Sequence, residues 1–195
     1  MITDRALFLY INGLAGKVPV IDGLFRGISN DFFGVISCCL ILIWLWFGMR
    51  DIAWRQINQQ AVMTAAISIG LTSLLVVISN YFYFRVRPFN ALAPDSVHLL
   101  FYKPTDSSFP SNLAAVLFAI AIPVFIKNKV YGSVLLAMAV LISIGRIYIG
   151  VHYPLDILGG VAFGAVGALL AFGVIWLISP LVNFLMNLLR KVYLA

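Results

Sequence analysis

Three short segments of the chain carry side chains that could bind and cleave a phosphate ester. The first segment contains two arginines and the third contains Arg146, and each lies near other polar residues in the sequence. A guanidinium presents a planar fork of N–H donors that matches phosphate oxygens, so Arg87 and Arg146 are candidates for binding a phosphoryl group. The segments are Arg85-Val86-Arg87-Pro88, then Ser107-Ser108-Phe109-Pro110-Ser111-Asn112, then Gly145, Arg146, His152 and Asp156.

His152 and Asp156 have the spacing of a catalytic pair. They stand four residues apart, which places them one turn apart on the same face of a helix. A carboxylate can hold one ring N–H of the imidazole and leave the other nitrogen free to attack. The same two residues also fit an interfacial histidine followed by a carboxylate at a helix N-terminus, and the pair alone does not decide between these interpretations. The nearby Arg146 at membrane depth favours the catalytic one.

Pro110 and Ser111 mark a helix start that could bind an anion. Proline suits the first turn of a helix, where its missing N–H is no loss. The amides of Ser111, Asn112 and Leu113 would then be free to bind an anion, together with the Ser111 hydroxyl. Taken alone, these residues are more typical of an ordinary helix start.

The composition places these residues in a membrane protein. Of the 195 residues, 63% are hydrophobic and only 10% are charged, and the mean hydropathy is +1.04. A soluble domain is about half apolar and a quarter charged, so this chain lacks the polar surface of a soluble globule. We therefore predict an all-α, polytopic membrane helix bundle that forms a single domain over residues 1–195.

Other classes of function are disfavoured. The net charge is +6, but the basic residues do not cluster on one helical face, so we expect no nucleic-acid partner. The adjacent Cys38 and Cys39 lie in an apolar run and are interpreted as small buried hydrophobes. Because no metal-ligand spacing is present, we expect no metal site.

Five stretches are apolar and long enough to be transmembrane helices. Within residues 1–30, the segment 5–26 mixes apolar and charged side chains. This mixture favours either an interfacial helix pair or a sixth span. Residues 84–109 form a long outer loop, and a short apolar segment follows at 181–193. The five stretches are 33–49, 61–83, 110–126, 130–148 and 155–178.

Basic residues predict which side of the membrane each loop occupies. With five spans, three basic positions fall on one side, and short basic loops favour the cytoplasm. The candidate site then lies on the outer side, where Arg85 and Arg87 run against this rule and so indicate a function. Arg85 also fits an interfacial arginine that reaches for water, and Lys103 and Asp106 fit a solvated loop. The cytoplasmic residues are Arg50, Arg55, Lys127, Lys129, Arg190 and Lys191.

Together these motifs resemble the PAP2 (type 2 phosphatidic acid phosphatase) superfamily, which carries K-x6-R-P, then P-S-G-H, then S-R-x5-H-x3-D. Arg87-Pro88 matches the end of the first motif, and Pro110-Ser111 matches the start of the second. The third motif is matched at the right spacing by Arg146, His152 and Asp156. The resemblance covers about residues 25–178 and is greatest to bacterial undecaprenyl-diphosphate phosphatases.

The resemblance implies a role for each matching position. His152 would be the nucleophile that forms a phosphohistidine, and Asp156 would orient it. The phosphoryl group would be bound without a metal or other cofactor by Arg87, Ser111, Asn112 and Arg146. The implied reaction converts undecaprenyl diphosphate to the monophosphate, which recycles the cell-wall lipid carrier. It would occur in the bacterial inner membrane, with the active site facing the outer, periplasmic side.

The implied partners are a lipid phosphate or diphosphate substrate and the membrane lipids. Both a monomer and a homo-oligomer are compatible with the sequence. Phosphatidate and phosphatidylglycerophosphate are alternative substrates. A non-catalytic phospholipid-binding or transport protein is the alternative from another class.

Three departures from the family pattern matter for the chemistry. Asn80 replaces the motif-one lysine, and Gly145 replaces the motif-three serine. Leu113 replaces the motif-two histidine, which in the family protonates the leaving oxygen. General acid catalysis contributes about 10²- to 10⁴-fold, so we expect this chain to be impaired at that step. His98, the only other histidine, lies in the outer loop and is the alternative proton donor.

Overall fold

The computed structural model describes residues 3–48 and 50–191 of the chain. Over these residues the secondary structure is helical, with no strand, which confirms the all-α prediction. Met49, at the end of the predicted stretch 33–49, and residues 192 and 193 of the segment 181–193 lie outside the described residues. The helices are α1 (Asp4–Asn12), α2 (Pro19–Ile28), α3 (Phe33–Phe47), α4 (Ile52–Phe82), α5 (Pro88–Ala91), α6 (Asn112–Lys127), α7 (Lys129–Tyr148), α8 (Pro154–Leu177) and α9 (Ser179–Lys191), with a 3₁₀ turn at Pro94–Ser96.

Three helices, α4, α7 and α8, are by themselves long and apolar enough to cross a membrane. The pair α2 and α3 would make a fourth span, although it is bent by 56° at the break between the two helices. Helix α6 is apolar but has only 16 residues. The five predicted stretches thus correspond to helices, whereas a count of five to six spans stays a prediction.

Helix α4 begins nine residues earlier than the apolar stretch 61–83 indicated. The carboxylate of Asp51 caps it by accepting the N–H of Trp54 at 2.9 Å. Its first turns are polar, so hydropathy does not report them although they are helical. Its 31 residues extend about 46 Å, well beyond the hydrocarbon core.

The N-terminal segment 5–26 forms two helices, α1 and α2, rather than one continuous helix. Helix α1 has nine residues, about 14 Å, which is half of the length that a span needs. It packs through Phe8, which is fully buried against Ile147 and Tyr153. The Asn12 amide donates to the carbonyl of Tyr148 at 2.8 Å, so α1 is attached to the end of α7.

Helix α6 is central and packs against α4, α7 and α8. Gly160 and Gly164 of α8 face it, and a Cβ on Gly164 would lie 2.6 Å from the carbonyl oxygen of Ala115. Small residues allow this close approach of two helix backbones within a membrane. As a result the two helix starts meet, and the N–H of Ser111 donates to the carbonyl of Asp156 at 2.9 Å.

The main hydrophobic core lies between α3, α4, α6 and α7. Its fully buried members include Leu45, Leu117 and Ile120. This core joins the helices whose ends carry the candidate site residues.

Candidate active site

A cavity of about 240 Å³ lies where α7 ends and α6 and α8 begin. Its wall contains both polar and apolar residues. Two predicted site residues, Asp156 and Ser111, are fully buried and do not line it. The polar lining consists of Asp31, Arg87, Tyr102, Asp106, Asn112, Arg146 and His152, and the apolar lining of Val35, Pro104, Leu113 and Val116.

His152 is buried, and its hydrogen bonds assign the two ring nitrogens. Nδ1 lies 2.9 Å from the carbonyl oxygen of Ser108. Because a carbonyl only accepts, Nδ1 carries the proton and Nε2 is unprotonated. Nε2 lies 3.4 Å from Nη1 of Arg87, at the cavity.

Burial also keeps the imidazole neutral. It lowers the pKa of His152 to about 4, an effect that Arg146 and Arg87 reinforce and the nearby Asp156 carboxylate opposes. At pH 7 the ring therefore carries a free lone pair on Nε2. A neutral histidine with one nitrogen held and the other facing a cavity is suited to nucleophilic attack.

A sharp turn after α7 sets the position of His152. Gly150 has a φ of +89°, a conformation that glycine adopts without strain. A Cβ there would also lie 2.8 Å from the carbonyl oxygen of His98. Pro154 then starts α8 with a preset φ. The histidine is thus held on a short, tightly packed connection between two helices.

Asp156 is connected to His152 mainly through Ser108. Its Oδ2 is 3.7 Å from Nδ1 of His152, too far for a direct hydrogen bond. The same oxygen accepts the Ser108 hydroxyl at 2.5 Å and the Tyr153 N–H at 2.8 Å. Oδ1 accepts Nη1 of Arg85 at 2.5 Å. Ser108 therefore bridges the pair, with its carbonyl on the ring and its hydroxyl on the carboxylate.

Arg87 is held rigidly beside the histidine. It is 4% exposed, and its Nη1 donates to the carbonyl of Val151 at 3.0 Å. Its Nη2 pairs with Oδ1 of Asp106 at 2.8 Å, and its Nε donates to the Asp106 carbonyl at 3.1 Å. Asp106 thus occupies much of the donor fork that would bind phosphate oxygens.

Arg146 also pairs with a carboxylate at the cavity. It is 3% exposed, and its Nη1 donates to the Ser29 carbonyl at 3.0 Å and to Oδ1 of Asp31 at 2.7 Å. Its Nε is buried and has no hydrogen-bond partner among residues 3–48 and 50–191. An unused buried donor beside a cavity is suited to bind an anion.

The start of α6 contributes a polar and an apolar wall. Asn112 is exposed and lines the cavity, whereas the Ser111 hydroxyl is buried without a partner in the described part of the chain. Leu113 lines the cavity beside Val35 and Val116, so the position of the family's acid is apolar. His98 does not line the cavity, and its main chain is bonded to Asn12 instead.

The sequence did not place Asp4, Asp31 or Ser108 in this cluster, and it left Arg85 open between a functional and an interfacial role. One signal was available for Arg85, because a second basic residue on the outer side runs against the positive-inside rule. Asp31 and Asp4 carried no local signal, since Asp31 lies 115 residues from Arg146 and Asp4 lies 81 residues from Arg85.

Known proteins share both the sequence pattern and the fold. Residues 61–180 match the PAP2 superfamily. The chain is 30% identical over 174 residues to the putative undecaprenyl-diphosphatase YbjG of Escherichia coli, which covers 89% of this chain and 82% of that protein. It is 28% identical over 191 residues to the undecaprenyl-diphosphatase BcrC of Bacillus subtilis, covering 95% and 91%. The crystal structure of Aquifex aeolicus LpxE superposes with a TM-score of 0.69 at 30% identity, covering 87% of this chain and 94% of that one.

Proposed function

The chain belongs to the PAP2 superfamily, which makes it a phosphatase, and on that premise we propose that it removes the terminal phosphate of a polyprenyl diphosphate. The substrate is undecaprenyl diphosphate and the product is the monophosphate. One observation carries the proposal: the unprotonated Nε2 of His152 faces a cavity that Arg87 and Arg146 also line.

In the first step, Nε2 of His152 attacks the terminal phosphorus. The bond between phosphorus and the bridging oxygen breaks, and its electron pair leaves with the lipid monophosphate. Arg87 and Arg146 bind the non-bridging oxygens as negative charge builds on them. Nδ1 keeps its proton and donates it in a hydrogen bond to the Ser108 carbonyl, and the Asp156 carboxylate balances the positive charge that the ring acquires.

In the second step, the oxygen of a water molecule attacks the phosphorus, and the bond between phosphorus and Nε2 breaks with its electron pair returning to Nε2. The surplus proton of the water passes to solvent, phosphate is released and the neutral imidazole is restored. Both steps are slow in this chain because Leu113 can neither give a proton to the leaving oxygen nor take one from the water. A diphosphate suffers least from this loss, since a lipid monophosphate is a better leaving group than an alkoxide. This argument favours a polyprenyl diphosphate over phosphatidate or phosphatidylglycerophosphate, as do the names of the two similar undecaprenyl-diphosphatases.

The site works at the outer face of a bacterial inner membrane. Six of the thirteen basic residues lie at the helix ends opposite the cavity, in or beside short connections, and Lys127 donates to Gln60 there at 3.5 Å. Short basic connections favour the cytoplasm, which puts the cavity on the other side. The cell-wall lipid carrier is regenerated on that side, in keeping with a role in its recycling.

A non-catalytic phospholipid-binding or transport protein is the second candidate, and the apolar wall at Leu113 favours it. Binding alone would require the arginines but no buried histidine with a free Nε2. The two candidates differ in covalent chemistry, because only an enzyme forms a phosphohistidine.

The test compares phosphate release from undecaprenyl diphosphate in detergent by the chain and by its Leu113→His and Leu113→Asn variants. We expect Leu113→His to release phosphate about 10²- to 10⁴-fold faster than the parent, since it restores the acid. Leu113→Asn controls for polarity without a titratable group and should stay slow. Rapid denaturation in alkaline detergent, with substrate labelled in the terminal phosphate, should trap label on His152, because the P–N bond of a phosphohistidine survives alkali but not acid. His152→Gln should abolish the label. No phosphate release and no label from any of these proteins, with phosphatidate as the second substrate, would overturn the proposal.

A further inference from the structure

Three charged side chains form a linear ion chain that ends on the carboxylate behind the histidine. Nη1 of Arg85 lies 2.5 Å from Oδ1 of Asp156, and Nη2 lies 2.5 Å from Oδ2 of Asp4. The Asp156 side chain is 0% exposed, that of Asp4 is 13% exposed and that of Arg85 is 22% exposed. Neither Arg85 nor Asp4 lines the cavity, so neither would touch a substrate there.

The main chain around Arg85 is attached to the segment that holds the imidazole. The Arg85 N–H donates to the hydroxyl of Ser107 at 3.1 Å, and the Ser108 N–H donates to the Arg85 carbonyl at 2.9 Å. The Arg85 guanidinium lies 4.3 Å from the centre of the Tyr153 ring, and Tyr153 is the residue that connects His152 to α8. Arg85 thus contacts both segments that carry hydrogen bonds to the His152–Asp156 pair.

Asp4 fixes the far end of the ion chain. Its Oδ2 accepts from Arg85, while its Oδ1 accepts the N–H of Leu155 at 3.0 Å. Leu155 lies in the first turn of α8, one residue before Asp156. Helix α1 therefore attaches to the same turn that presents the buried carboxylate.

We infer that Arg85 and Asp4 are positioning residues for the His152–Asp156 pair: Arg85 holds the buried Asp156 carboxylate in its charged form and in place, and Asp4 holds Arg85. A buried carboxylate that loses a cation paired with it is strongly destabilised in the charged form. Arg85 holds Oδ1 of Asp156, so Oδ2 accepts the Ser108 hydroxyl and the Tyr153 N–H. The carbonyl of Ser108 in turn accepts the N–H of the His152 ring. The inference rests on the proposed function, since it assigns residues that act through the nucleophile.

The charged groups around the pair come from five parts of the chain, and a phenol comes from a sixth. Helix α1 contributes one acid, the segment before α5 contributes two arginines, and α7 contributes one more. Two acids pair with the cavity arginines, and the phenol of Tyr153 lies beside Arg85. These groups are Asp4, Arg85, Arg87, Arg146, Asp31, Asp106 and Tyr153.

Replacing Arg85 by glutamine removes the cation that faces Oδ1. We expect kcat to fall by about 10- to 100-fold, the size expected for the loss of a hydrogen bond between charged groups. KM should stay within about threefold, because the variant leaves the phosphate-binding arginines in place. The His152–Asp156 pair should also bind a proton at higher pH than in the parent. In the pH profile of kcat/KM, the fall on the acid side (the acid limb) therefore moves to higher pH.

The conservative variant Arg85→Lys keeps the charge but cannot reach both carboxylates with a planar fork. It should restore the acid limb to the parent's position while recovering only part of kcat. Asp4→Asn leaves the cation on Asp156, so its acid limb should not move upward and its kcat should fall by less than that of Arg85→Gln.

Matched controls lose the same charge at exposed positions on the same end of the molecule. Arg5→Gln removes a positive charge from α1, and Asp95→Asn removes a negative charge from the outer loop. Both should keep the kcat and the pH profile of the parent. Thermal unfolding in detergent identifies variants that lose kcat only because less protein is folded.

The series is measured on undecaprenyl diphosphate with the parent and the Leu113→His variant as starting points. If either starting protein is active, and Arg85→Gln keeps its kcat and its acid limb, the inference is wrong. An equal loss of kcat in Arg85→Gln and Arg85→Lys with an unmoved acid limb would also overturn it. If neither starting protein releases phosphate, the proposed function itself fails, and the inference fails with it.

Discussion

The carboxylate of Asp31 lies 2.7 Å from Nη1 of Arg146, inside the cavity where a phosphate would bind. The other oxygen of Asp31 accepts the hydroxyl of Tyr102. A carboxylate of the chain itself therefore occupies part of the proposed phosphate site. An entering phosphate has to compete with it for the guanidinium.

The Asp31→Asn variant should bind inorganic phosphate or orthovanadate more tightly. Asparagine keeps the shape of the side chain but removes the charge that competes for Arg146. The Asp31 side chain is one-third exposed, so we expect an inhibition constant about two- to fivefold lower than that of the parent. Asp95→Asn, which removes an exposed acid from the outer loop, is the matched control. A higher inhibition constant would mean that Asp31 holds Arg146 in place rather than competing with the ligand.

The acid limb of kcat/KM should lie near pH 4 rather than near the ordinary histidine value of about 6.5. Attack requires the unprotonated Nε2, and burial lowers the pKa of His152, so protonation stops the reaction only at lower pH. Activity at pH 5.5 should therefore remain close to that at pH 7. Two substrates whose phosphates ionise at different pH values separate the titration of the enzyme from that of the substrate. An acid limb near pH 6.5 with both substrates would contradict a buried, neutral His152.

Restoring the family's serine at Gly145 should destabilise this chain. A Cβ at residue 145 would lie 1.9 Å from the Ser29 hydroxyl and 2.9 Å from the Phe25 ring, so α2 would have to move away from α7. Overpacking of this kind costs about 1–3 kcal/mol of the free energy of unfolding.

The double variant Gly145→Ser with Ser29→Ala removes the closest clash and should regain most of that loss. Thermal unfolding of the single and double variants measures the coupling between residues 29 and 145. Additive effects would show that the two positions do not compete for the same space.

Removing the Ser108 hydroxyl should weaken catalysis without removing the histidine's partner. Ser108→Ala loses the hydrogen bond to Asp156 but keeps the carbonyl that accepts Nδ1 of His152. We expect kcat to fall by about 10-fold, since the lost bond is made to a charged group. Ser96→Ala, which loses only a local hydrogen bond to Ala93, is the control. An unchanged kcat would show that the carbonyl alone positions the ring.

The sequence determined the fold class and the centre of the candidate site. An apolar run predicts a helix because every backbone N–H and C=O group within lipid must be hydrogen-bonded inside the protein. The composition of the segment is enough for this prediction, whichever helices pack against it. Arg87, Arg146 and His152 could be singled out because their motif spacing is preserved. All three line one cavity.

Local patterns were less informative where a helix is polar or broken. The start of α4 at Ile52 was missed because hydropathy does not report polar turns, although Asp51 carries a helix-capping signal. The segment 5–26 left open an interfacial pair or a span, and the structure forms α1 and α2 there.

Only the tertiary structure decided which groups complete the site. Asp31 reaches Arg146, Asp4 reaches Arg85, and Ser108 comes between His152 and Asp156. These partners lie 44 to 115 residues apart along the chain. Their pairing depends on how closely α6 and α8 approach through Gly160 and Gly164 and on where α1 docks. Such contacts follow from helix packing in three dimensions, which no local spacing in the sequence encodes.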